Sequence, residues 1–121
     1  MNTPSWVPKL FQSIDAMDTG TFLTFLTKDS QFRFGNAPAS FGKPAIRQGV
    51  DGFFSSIKAL KHRLLNTWTL PDTVICQGEV TYTRHDNSQI TLPFVNVYGT
   101  KGDLVKDYLV YIDITPLYAS R

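Results

Sequence analysis

Apolar positions recur at helical spacing near the start of the chain. Trp6, Leu10, Phe11, Ile14 and Met17 fall on one stripe, which predicts a helix over residues 5–17. Pro4 and Pro8 lie near its first turn, where a missing N–H does little harm. Asp18 is a good cap for a second helix carrying Phe22, Leu23, Phe25 and Leu26 and stopping near Lys28-Asp29. Gln31-Phe32-Arg33-Phe34 alternates and predicts a short strand. Residues 35–42 collect Gly, Asn, Pro and Ser and read as a loop. Pro44 opens a third helix with Ile46, Val50, Phe53, Phe54 and Ile57 on one stripe. Gly49 and Gly52 weaken that helix by roughly 1 kcal/mol each, which suggests close backbone approach there.

The periodicity then changes to two. Four strands are predicted, over residues 62–70, 73–84, 89–98 and 104–115, rich in Val, Ile, Thr and Tyr. Their joints, Pro71-Asp72, His85-Asp86-Asn87-Ser88 and Gly99-Thr100-Lys101-Gly102, carry turn chemistry and are short, so neighbouring strands run antiparallel. Three helices followed by a long antiparallel sheet is an α+β arrangement. A long curved sheet covered on one side leaves room for a cavity beneath the helices and an outer face in need of a partner.

Composition narrows the classes. A chain of 121 residues suits one domain, 1–121, with a core that needs no staples. Twelve basic against ten acidic residues is too even a balance to argue for nucleic acid. Lys58, Lys61 and Arg63 form a small basic cluster without interleaved aromatics, which reads as solvated surface. A single Cys, Cys76, excludes an internal disulfide and a cysteine zinc site; it reads as a small core residue. No apolar run approaches the ~20 residues of a membrane helix. The opening residues lack the basic start and apolar core of a secretory signal. A soluble cytoplasmic protein is expected, with no membrane partner.

Four local motifs carry a resemblance. They are Gly42-Lys43-Pro44-Ala45-Ile46-Arg47 at the third helix, Leu60-Lys61-His62-Arg63-Leu64 entering the first long strand, Gly78-Glu79-Val80-Thr81-Tyr82 in the next, and Gly102 through Tyr111-Ile112-Asp113-Ile114-Thr115-Pro116 at the end. In their order and spacing the chain resembles the nuclear transport factor 2-like superfamily, and within it the SnoaL-like branch, over nearly its whole length. The resemblance implies a cone of three helices on a strongly curved antiparallel sheet, with a pocket for a small apolar or aromatic molecule and, in many members, a homodimer through the outer sheet face. The superfamily holds isomerases, dehydratases, epoxide hydrolases, cyclases and non-catalytic binders, so the fold leaves the function open.

In the last strand Asp107, Leu109, Tyr111 and Asp113 share one face and Tyr108, Val110 and Ile112 the other. The resemblance implies that the odd set faces the helices and that the even set, also apolar, meets a partner chain. Asp113 resembles the acid/base aspartate of SnoaL-like cyclases; alternatively it caps a helix or pairs with Arg. Tyr111, two residues away, is placed to donate to a substrate oxygen or simply to pack. His62 is placed as a general base or as a hydrogen-bonded structural His, near Asp113 in either case. Asn96, where resembling members often carry Asp, has no titratable group but orients a carbonyl or water. Arg84 and Tyr82 share a strand face, and Arg84 either neutralises an acidic ligand or is a solvated strand end. Trp68, Phe34, Phe53 and Tyr98 are candidate pocket lining, or plain core.

Ketosteroid isomerase keeps its base on the short first strand, and residues 31–34 offer no carboxylate there. Its oxyanion acid falls near Phe94–Asn96, again without one. Limonene epoxide hydrolase needs an Asp-Arg-Asp network, of which only Asp113 and Arg84 have counterparts. Two readings therefore stand. One is a pocket protein that binds without turnover. The other is a lyase, isomerase or cyclase with Asp113 as acid/base. Neither implies a metal or an organic cofactor.

Overall fold

The computed structural model describes residues 3–119. Helix α1 (Trp6–Asp15) buries Leu10 and Phe11 of the predicted stripe together with Val7, and Trp6 and Ile14 pack half-buried beside them. Helix α2 (Thr19–Leu23) is capped by Asp18, whose carboxylate accepts from the Thr21 backbone N–H at 3.1 Å and from the Thr21 hydroxyl at 2.7 Å. Those two bonds, the side-chain one first, hold the Asp18 pKa below the ordinary carboxylate value. The helix is shorter than its sequence suggests. The Val105 N–H donates to the Phe25 carbonyl at 2.8 Å, and this sheet bond draws the chain into strand β1 (Leu26–Phe34). Strand β1 is correspondingly longer than its predicted four residues. A two-residue strand, β2 (Ser40–Phe41), follows in the predicted loop, and α3 (Lys43–Ser55) starts at the Pro44 turn.

Strands β3 (Ala59–Leu70), β4 (Thr73–Thr83), β5 (Gln89–Lys101) and β6 (Leu104–Tyr111) form an antiparallel meander. Strand β1 joins its edge along β6, running parallel to it, and the six-stranded order is β2-β1-β6-β5-β4-β3. Strand β6 stops at Tyr111, short of the predicted residue 115, and a short helix, α4 (Thr115–Tyr118), follows. The helices lie on the concave face of this curved sheet, and among the described residues no helix is long and apolar enough to cross a membrane.

Register decides which side chains face inward. Leu60 and His62 pair with Tyr82 and Val80, all four on the inner face. At Leu65 strand β3 bulges: Leu64 pairs with Gly78, yet Asn66 pairs with Gln77. The inner face passes from Leu64 to Thr67 and Thr69, while Asn66, Trp68 and Leu70 turn outward. Gly78 makes the bulge possible, because a Cβ there would lie 2.2 Å from the Arg63 carbonyl oxygen. Gly49 lines the interior cavity, but Gly52 has open space around it, so close approach does not explain that residue.

In β5 and β6 the inner set is Phe94, Asn96, Tyr98, Tyr108 and Val110. This reverses the parity expected for the last strand. Tyr108 is 2% exposed and Tyr111 is 57% exposed. The physical reason is steric and hydrophobic: β6 lies between β1 and β5, and Tyr108 stacks inward against Phe22, Phe32 and Tyr98 with ring centroids at 5.4, 5.1 and 4.7 Å.

Candidate functional site

A cavity of about 230 Å³ lies between the helices and the concave sheet face. Phe22, Phe32, Phe34, Phe53, Phe54 and Phe94 supply most of its apolar wall, with Val110 and Ile112 from the last strand and its continuation. Five lining residues are polar: Ser40, His62, Tyr82, Asn96 and Tyr108. None of the lining residues carries a carboxylate or a permanent cation.

His62 is held by an acid that the sequence reading did not pick out. Asp15, the last residue of α1, accepts from the His62 ring Nδ1 at 2.6 Å. Its two oxygens also receive the His62 backbone N–H at 3.2 and 3.1 Å. An ionised carboxylate only accepts, so in the neutral imidazole Nδ1 carries the proton and Nε2 is the nitrogen with the lone pair. Nε2 has no hydrogen-bond partner among the described residues. The ring is packed between Phe11 and Phe94, with centroids at 5.0 and 5.2 Å. Both side chains of the pair are largely buried, at 10% and 17% exposure. A buried, oriented imidazole with one nitrogen fixed and the other at an apolar cavity is equipped to take up and return a proton.

A second polar group lies deeper. Asn96 is 2% exposed, and its Nδ2 donates to the Tyr98 hydroxyl at 2.9 Å. The Tyr98 hydroxyl donates onward to Tyr108 at 3.5 Å. The Asn96 Oδ1 atom is buried without a partner. Burial pushes the phenols of Tyr82, Tyr98 and Tyr108 well above their ordinary pKa, so all three are neutral hydroxyls near neutrality.

Of the residues proposed from sequence, His62, Asn96, Tyr82, Phe34 and Phe53 line the cavity. Tyr98 stands behind Asn96 as its hydrogen-bond partner. The others lie elsewhere. Asp113 is exposed beyond the end of β6 and accepts from the Thr115 N–H at 3.0 Å, closing the turn into α4. Hydrogen bonding to Thr115 lowers its pKa, the opposite of the desolvated acid expected. Tyr111 faces outward opposite Val95. Trp68 is 50% exposed on the outer face, moved there by the bulge at Leu65. Arg84 donates to the Leu117 and Pro116 carbonyls at 2.9 and 3.0 Å and so pins α4 rather than meeting a ligand. Conversely, Tyr108, Val110 and Ile112, expected on the outer face, line the cavity. Asp15 was legible in principle: Val7, Phe11 and Asp15 are four apart, which puts a carboxylate on the buried stripe of α1.

Residues 7–108 match the SnoaL-like domain family. No curated protein matches the chain. Solved structures do. A hypothetical protein with a ketosteroid isomerase-like fold from Catenulispora acidiphila, in complex with trimethylamine, is 12% identical with a TM-score of 0.83, over 91% of this chain and 86% of that one. A provisionally assigned polyketide cyclase of Xanthomonas campestris is 14% identical with a TM-score of 0.83, over 92% and 90%. TerC, co-crystallised with polyporic acid, is 13% identical with a TM-score of 0.81, over 93% and 92%. At such identity these likenesses show the shared fold.

Proposed function

The chain belongs to the SnoaL-like domain family, and from that premise we propose that it binds a small apolar or aromatic molecule in its cavity and acts on it by general-base catalysis without a cofactor. The observation that carries this reading is the 2.6 Å contact between Asp15 and His62 Nδ1, which leaves Nε2 as the base. The aromatic wall supports an apolar ligand. The ligands in the trimethylamine and polyporic acid complexes of two fold neighbours are consistent with a small-molecule pocket.

The chemistry needs only one titrating residue. His62 Nε2 removes a proton from carbon next to a carbonyl, breaking the C–H bond. The imidazolium, stabilised by Asp15, returns that proton either to another carbon or to a departing hydroxyl. The first outcome is an isomerisation. The second forms a C=C bond, breaks a C–O bond and releases water. Asp15 positions the ring and fixes its tautomer, while the neutral phenols of Tyr82 and Tyr108 are donors for a substrate oxygen. Asp113 has no part in this scheme. Binding without turnover is the second reading, favoured by the lack of a second titrating acid among the lining residues. Assembly as a homodimer through the outer sheet face belongs to the proposal as well. There Trp68, Ile75, Val97 and Leu109 form one cross-strand apolar row.

The test is deuterium exchange and dehydration, followed by NMR in heavy water, over a panel of aryl β-hydroxyketones. The wild type is expected to wash deuterium into the carbon next to the carbonyl. His62→Gln should abolish this. Asp15→Asn should lower kcat by about 10²–10⁴-fold. Asp113→Asn should leave the rate unchanged. Compounds that bind with no exchange above the uncatalysed rate would sink the enzyme reading and leave the binding one.

A further inference from the structure

Of the residues that line the cavity, three are also exposed to solvent: Ala37, Pro38 and Gly49. A residue that touches both the cavity and bulk water stands at the mouth. The mouth therefore lies between α3, which carries Gly49, and the loop between β1 and β2, which carries the other two. Both rims are tied down. Arg33 Nε donates to the Ala37 carbonyl at 3.2 Å, and the Ala37 N–H donates to the Phe34 carbonyl at 3.2 Å. On the helix side, the Thr19 hydroxyl donates to Asp51 at 2.5 Å and links α3 to α2. One turn beyond Gly49, Phe53 meets Phe34 of β1 with ring centroids 4.9 Å apart and spans the gap there. At Gly49 no side chain reaches across. Only proline is a poorer helix former than glycine. Helix α3 is weaker for carrying it, and an open passage is what the missing side chain leaves.

We propose that Gly49 is the access-determining residue of the cavity, and that uncharged aromatic molecules enter between α3 and the 35–39 loop through the gap its missing side chain leaves. A Cβ at Gly49 would lie 3.9 Å from Ser40 Oγ, an ordinary contact distance. One carbon therefore fits without strain, and any larger group has to extend towards the opening. Gly52, further along the same helix, has open space around it and takes no part in the cavity lining, so a group attached there leaves the mouth clear. The exposed rim residues carry no charge, and the lining offers neither carboxylate nor permanent cation, which suits an uncharged ligand. This deepens the pocket reading above and rests on its claim that the cavity binds small molecules, but not on His62 being a base.

The test uses Gly49→Cys and Gly52→Cys, each labelled with N-(4-carboxyphenyl)maleimide, whose carboxylate keeps it out of an apolar cavity. Cys76, the chain's one native thiol, is fully buried, so only the new cysteine reacts. Stopped-flow fluorescence follows 2-naphthol binding to each protein before and after labelling. Labelled Gly49→Cys should take up and release the probe about tenfold more slowly than the wild type, or slower still, with affinity kept within about threefold. Labelled Gly52→Cys should match the wild type. Both rates fall together because a narrowed mouth hinders entry and exit alike, whereas a damaged cavity loses affinity. A smaller slowing, an equal slowing in both labelled proteins, or a loss of affinity would overturn the proposal. So would a Gly49→Cys protein that fails to fold or that the reagent does not label, since either means that the position is not open. Failure of 2-naphthol to bind the wild type would instead overturn the pocket reading beneath it, and the proposal with it.

Discussion

Asp15 and Asp113 show how little a carboxylate's identity says about its use. Asp15 ends α1 and is spent on His62, through ring and backbone. Asp113 lies in solvent and is spent on Thr115. The buried titrating groups have a stability consequence of their own. Desolvation pushes the Cys76 thiol from 9.0 up to about 11, with a small opposing effect from Thr67. In the unfolded chain the thiol ionises near its ordinary value, so its contribution is complete below pH 9 and is lost as pH rises towards 11. The three buried tyrosines act in the same direction above pH 10. Urea unfolding between pH 8 and 11 should show stability falling with pH. Cys76→Ala should remove roughly 2–3 kcal/mol of that decline between pH 9 and 11. An identical slope in both proteins would contradict the assignment to Cys76.

Elements were more legible than their facing. The stripes of α1 and α3, the Asp18 cap, the Pro44 start and the joints after β3 and β4 follow from local chemistry and lie where the sequence places them, whereas α2 ends early and the expected Gly99–Gly102 joint is largely strand, β5 running on to Lys101. What local pattern cannot carry is long-range register. Strand alternation runs unbroken through Leu64, Asn66 and Trp68 in sequence, and the bulge at Leu65 breaks it in space. The same applies to β6, whose two faces are both apolar; its neighbours, not its own pattern, choose which turns inward. Hence His62 and Asn96 line the cavity as expected, while Trp68 and Tyr111 face outward and Asp113 lies exposed beyond the end of β6. Two glycines calibrate the element scale. Gly78→Ala forces a Cβ onto the Arg63 carbonyl and should cost about 3 kcal/mol. Gly52→Ala, in the interior of α3 with open space around it, should stabilise by roughly 0.5–1 kcal/mol. Thermal melts of the two variants should shift in opposite directions; a loss at Gly52 would mean that its position in the helix is misread.

At the scale of the molecule, the helices cover only the concave side of the sheet, and the outer side carries one apolar row among polar neighbours. The outer row of Trp68, Ile75, Val97 and Leu109 crosses four strands, with Tyr111 and Leu70, both more than half exposed, flanking it. A second copy presenting the same row would bury it symmetrically. Sedimentation at high micromolar concentration should report a dimer, and Val97→Lys combined with Leu109→Glu a folded monomer. A wild-type monomer would refute this assembly.

Alternation along β4, β5 and β6 means that each residue facing the cavity has neighbours in sequence facing the other way. The two faces are thus written in interleaved letters of one text. A change at Asn96 can redraw the cavity wall without touching Val95 or Val97, and a change at those two can redraw the outer face while the cavity stays as it is. A short stretch of strand thereby carries two inheritances that drift independently, and descendants can come to differ in cavity, in outer surface, or in both, while keeping the same backbone.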